Sequence, residues 1–179
     1  MESGEGVRLP VGPRLAVPPT RPERPQAVIL TGLQGSGKST FCKERLFATH
    51  VRLSLDMLRT RRREVGLLDA CLALRQAFVI DNTNPTLAER ARYIEAARAV
   101  DFAVIGYVFD VPLTTCLARN AARPAGERVP ARGLYATRKR FQAPTLGEGF
   151  DALYRVRSAA GGFVIAAWDE VEVGGAAGV

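Results

Sequence analysis

The apolar run AVIL, Ala27 to Leu30, passes directly into TGLQGSGKST, Thr31 to Thr40. Gly32, Gly35 and Gly37 supply the backbone freedom for a tight curl after a buried strand. Lys38 to about Ala48 then reads as a helix. The series Gly32-x-x-x-x-Gly37-Lys38-Ser39 is the phosphate-loop pattern, in the strand-loop-helix context that gives it meaning. Such a curl turns successive N–H groups onto one oxygen-rich anion, and the positive end of the following helix reinforces them.

The residue types assign the parts. The loop from Gly32 through Leu33, Gln34, Gly35, Ser36 and Gly37 wraps the phosphates of a nucleotide, with Thr40 helping at the α phosphate. Lys38 reaches the β and γ phosphates, and Ser39 offers a hydroxyl to Mg²⁺, leaving that ion several waters. ATP with Mg²⁺ is the expected cofactor pair.

Strand-like and helix-like runs alternate beyond the loop. VRLSL (51–55), AFVI (77–80), FAVIGYVF (102–109) and GFVIAAW (162–168) read as further strands, with a helix near 66–76. After the third strand, Asn84 is the expected N-cap and Pro85 the first helical residue; Leu87, Ala91, Ile94 and Ala97 mark that helix's buried face. Short apolar strands separated by helices predict an α/β fold, a parallel sheet covered on both faces, of the P-loop NTPase type. Ligands in such folds lie beyond the carboxyl ends of the strands.

Two acids fall on that rim. Asp56, in SLDMLRT, is placed to accept the proton of an attacking hydroxyl, or else to cap a helix. Asp81, in IDNTNP, is placed to hold the Mg²⁺ shell or the loop serine, or else to start an Asx turn. Arg59, three residues past Asp56, lies near enough to grip a phosphate of the acceptor, while most of Arg61 to Arg63 reads as a solvated charge run.

Four segments, TGLQGSGKSTF, LDMLR, VIDNTNPTLAERARYIEAA and FDVP, resemble the 5′-kinase module of polynucleotide kinases, of the phage type and of the animal repair enzyme. QAPTLGEGF (142–150) is similar to the end of the animal module, and the likeness runs from about Ala27 to Val156. This resemblance implies transfer of the γ phosphate of ATP to a 5′-hydroxyl of DNA or RNA, with Asp56 as base, Lys38 and Ser39 on the donor and Asp81 on the metal side. It also implies a helical lid whose arginine clamps the donor phosphates, matched here by Arg123 with Arg119 second. The acceptor's 3′ phosphate falls to Arg59 in the phage-type pattern and nearer Arg63 in the animal one. Asn82 and Asn84 join the acceptor side. No DxDGT-like phosphatase signature occurs in the chain, so the expectation is a kinase alone.

Composition bears on the partner. Net charge is +7, from twenty-two arginines and three lysines against 18 acids. Arginine suits bidentate phosphate contacts, although a GC-rich genome would inflate it equally. Cys42, Cys71, Cys116 and His50 form no zinc spacing and read as incidental. No run reaches membrane-helix length, so a cytoplasmic location is expected. A proline-rich disordered arm is expected over 1–25, a kinase domain over 26–170 and a flexible tail over 171–179. Two other readings remain open: a kinase of a small metabolite, nucleoside or seryl-tRNA, and a nucleotide-dependent binding module with no catalysis.

Overall fold

A computed structural model describes residues 24–159 and 161–168. The proline-rich arm, save Arg24 and Pro25, and the expected tail lie outside the described residues.

Among the described residues six strands form one sheet in the order β2-β3-β1-β4-β5-β6. β1 (Gln26–Thr31) is central, parallel to β3 (Phe78–Ile80) on one side and to β4 (Ala103–Phe109) on the other. β2 (Val51–Leu53) extends the sheet beyond β3, and β5 (Ala152–Ala159) lies parallel to β4. Alternate β1 side chains feed two cores, as a strand period of two requires. Ala27 and Ile29 pack with Phe78, Ile94 and Phe102, whereas Val28 and Leu30 pack with Phe41, Tyr107 and Phe109. With both faces covered, β1, β3 and β4 are near-continuously apolar.

Among the described residues β6 (Gly162–Ala167) is the one departure from a parallel sheet. Ala159 pairs with Gly162, so β5 and β6 are joined by a hairpin link, far shorter than the crossover a parallel pair needs. β5 itself carries no strand signature in the sequence, because Arg155 and Arg157 interrupt its apolar pattern.

The helices also correct expectations. α1 is Lys38–Arg45, α2 is the single turn Leu55–Leu58, and α3 runs Arg61–Ala73, starting at Thr60, whose hydroxyl accepts from Arg63 N–H. The helix expected to start near Gly66 thus begins five residues earlier. α4 (Leu87–Ala99) is capped by Thr86 in a capping box with Glu89, not by Asn84. Asn84 has φ 44°, a left-handed backbone unlike the extended one an N-cap adopts, and its amide donates to Leu30 O of β1 at 2.8 Å. Moving the cap rotates the helix: Leu87 is half-exposed, and the buried face is Arg90, Tyr93, Ile94 and Ala97.

A buried arginine on that face is compensated. Arg90 makes two bonds to Glu148, at 2.7 and 2.6 Å, and donates to Asn84 O and Gln142 O. Those bonds tie IDNTNP to QAPTLGEGF, two of the segments that carry the family resemblance. Past β4 the lid comprises α5 (Leu113–Ala121) and α6 (Ala131–Arg140), joined through Asn120, whose amide both donates to and accepts from Val129. Leu33, Cys116 and Leu134 form a small core between phosphate loop and lid. The three cysteines are free and buried, and no described helix is long and apolar enough to cross a membrane.

Candidate active site

The strand order brings the carboxyl ends of β1, β2 and β3 to one rim. There a cleft of about 260 Å³ is lined by the phosphate loop together with Asp56, Asp81, Arg61 and Arg123. Residues as far apart as 34 and 123 therefore share one cavity.

The loop obeys the geometry its glycines announce. Gly35 has φ 79°, and a Cβ there would stand 2.6 Å from the Cys116 carbonyl oxygen, so any side chain would push the loop off the lid. Gly37, at φ 101°, turns the chain into α1. That helix has no acid in its first turn and carries Lys43 and Arg45 in its last, leaving its positive end unopposed. Lys38 Nζ lies on the loop's own carbonyls, donating to Gly32 O at 2.9 Å and Leu33 O at 2.7 Å. Burial lowers its pKa to about 8, against the opposing pull of the Asp81 carboxylate.

Asp81 ends β3, and its N–H extends the ladder to Leu53 O. Its carboxylate is almost fully buried, with Arg52 Nη2 at 2.6 Å and Nε at 2.8 Å from Oδ2. Arg52 went unnoticed in the sequence because a lone arginine in a strand of three residues carries no pattern. Ser39 is exposed and lines the same cleft as Asp81. Their hydroxyl and carboxylate oxygens are the hard donors that Mg²⁺ takes, supplemented by phosphate and water. Among the described residues no cluster of three or more acids, cysteines or histidines is placed to hold a metal ion.

Asp56 is the second residue of α2, one turn that Ser54 precedes as N-cap. Its alternative role as a cap is thereby taken by another residue, and the exposed carboxylate faces the cleft. Asn82 fixes the approach: its Oδ1 accepts from Leu55 N–H at 2.9 Å, and its Nδ2 donates to Glu64 Oε1 at 2.6 Å. Glu64, buried, receives Arg61 Nη1 at 2.6 Å on its other oxygen, and the same Nη1 donates to Tyr93 Oη at 2.9 Å.

The expected acceptor residues separate accordingly. Asn82 and Asn84 border the cleft but spend their amides on internal bonds. Arg59 and Arg63 are exposed and are not among the residues lining the cleft, whereas Arg61, read as one of a solvated run, lines it with its guanidinium held at two points. Arg123 borders this cleft and a second one, where Arg119, Thr40, Ser158 and Phe163 meet it behind the loop.

A family profile described as an AAA domain matches residues 63–144. The chain is 26% identical over 141 residues to the bifunctional polynucleotide phosphatase/kinase of Schizosaccharomyces pombe, covering 72% of this chain and 32% of that protein. It spans about a third of the length of the curated relatives it matches. Among solved structures, a fungal RNA kinase superposes with TM-score 0.57 at 16% identity, over 76% of this chain and 39% of that one. A gluconokinase from Sinorhizobium meliloti superposes with TM-score 0.54 at 18% identity, over 75% of this chain and 83% of that one. The fold is that of the P-loop kinases, and the resemblance to the polynucleotide kinase family extends to these curated relatives.

Proposed function

We propose that the chain transfers the γ phosphate of ATP to the 5′-hydroxyl of a DNA or RNA end. The observation that carries this reading is that Asp56 and the phosphate loop line one cleft together with two arginines, Arg61 and Arg123. In the proposed reaction Asp56 takes the proton of the 5′-hydroxyl, whose oxygen forms the new bond to the γ phosphorus. The bond from that phosphorus to the β-γ bridging oxygen breaks, and ADP leaves. Lys38 leaves the loop carbonyls for the β and γ oxygens, while Arg123 meets charge on the migrating group from the lid. Ser39 and Asp81 hold Mg²⁺, which when bound draws charge from the phosphate oxygens.

On the acceptor side Arg61 is the cation of choice, in place of Arg59 or Arg63, because it alone of the three borders the cleft. The gluconokinase likeness shows that the same fold accommodates a small alcohol, so the acceptor must be tested directly. Incubation with [γ-³²P]ATP and 5′-hydroxyl DNA, 5′-hydroxyl RNA, nucleosides and sugar acids discriminates. Label on an oligonucleotide end, lost in Asp56→Ala, supports the proposal. Label confined to a small metabolite refutes it.

A further inference from the structure

We propose that the outer face of α6 is a docking track for single-stranded nucleic acid leading away from the cleft. The inference rests on the nucleic-acid reading of the acceptor and adds where the strand beyond its first nucleotide lies.

Both ends of α6 are anchored at the cleft. Val129, just before the helix, lines it; at the far end Arg140 bonds Glu89, another lining residue, at 2.5 Å. Midway, Thr137 Oγ1 accepts from Gln34 of the phosphate loop at 3.1 Å. The helix thus stands beside the cleft without lining it, Leu134 turned inward against Leu33 and Cys116 and Thr137 against Gln34. At 100° per residue, Arg132, Tyr135 and Lys139 share the opposite face, with Arg138 flanking the ring, over about 10 Å of helix.

Three properties set this face apart from an ordinary solvated one. No acid occurs between 131 and 140, so the charge is uncompensated on the helix itself. Arg132, Arg138 and Lys139 form no ion pair among the described residues, while the neighbouring Arg140 does. Tyr135 is 56% exposed, a large aromatic ring held out between cations. Cations that follow a phosphate backbone, interleaved with a ring on which a base stacks, are the recognition chemistry of unpaired nucleic acid. A duplex hides its base faces and would leave Tyr135 without a partner.

The test is binding of a fluorescein-labelled, 5′-phosphorylated 12-nucleotide single strand, followed by anisotropy across a salt series, so that no catalytic step is required. The wild type should bind, with log Kd linear in log salt. Combining Arg132→Gln, Arg138→Gln and Lys139→Gln should reduce that slope by about 2, since each single-strand phosphate contact contributes roughly 0.7. Tyr135→Ala should weaken binding by about tenfold with the slope unchanged. Thermal melting of the variants checks that the helix stays folded. Unchanged binding in both variants, or a blunt duplex bound as tightly as the single strand, would overturn the track. The kinase reading stands or falls separately: a protein that binds the strand through α6 yet labels no 5′-hydroxyl would keep the track and lose the chemistry.

Discussion

Arg52 and Asp81 meet across adjacent parallel strands, with two guanidinium nitrogens within 2.8 Å of a single carboxylate oxygen. Arg52 is thereby the residue that fixes which way the proposed metal-side acid points. Arg52→Met leaves that buried carboxylate without its partner, at a cost of about 1–3 kcal/mol to stability. The half-saturating Mg²⁺ concentration for phosphoryl transfer should rise several-fold, read from a Mg²⁺ titration beside a denaturant melt.

Asp56 is exposed and one residue inside a short helix, so replacing it costs little in folding. As a general base it is expected to contribute about 10²–10⁴-fold. Asp56→Ala should lower kcat by that amount while ADP affinity, measured calorimetrically, changes by less than about twofold.

Lys38 sets a pH dependence. With its pKa lowered to about 8, the free protein carries the charge below that pH and loses it above. ATP affinity should therefore fall as pH rises beyond 8, approaching a tenfold loss per unit, while Lys38→Met shows no such slope. Folding takes the opposite sign. The native pKa lies below the unfolded value of 10.5, so unfolding free energy relative to Lys38→Met should rise between pH 8 and 10.5. Urea melts across that window check it.

Arg61 and its neighbours can be separated by acceptor. With a nucleoside 3′-monophosphate as acceptor, Arg61→Gln should raise KM about tenfold or more, whereas Arg59→Ala and Arg63→Ala should change it less than twofold. With an uncharged nucleoside the three variants should behave alike. If Arg59→Ala instead carries the loss, the acceptor anion lies outside the cleft.

Arg90 and Glu148 form a pair that is almost fully shielded from water. Glu148→Gln or Arg90→Met should cost about 3–5 kcal/mol, because one buried charge is then left alone. The double variant Arg90→Met, Glu148→Leu should recover part of that, measured by chemical denaturation.

The phosphate loop, the central strands and the cleft position of both acids were readable from the sequence, because each depends on local spacing: glycines before a helix, apolar runs, an acid after a strand. What escaped depends on long-range pairing. Asn84 looked like a cap until its amide was needed by β1, which moved the cap to Thr86 and turned Leu87 outward. Arg52, Glu64 and Tyr93 belong to elements whose meeting no spacing reveals. Arg61 was hidden among three consecutive arginines, and only helix phase selects it.

The single amide of Asn82 touches the start of the turn bearing Asp56 and also the carboxylate that steadies Arg61. Under the proposed chemistry, proton acceptor and anion holder become two marks on one ruler. Such a site would measure its guest by the span between a hydroxyl and the next negative group, a length every nucleotide shares, with little reason to distinguish one base from another.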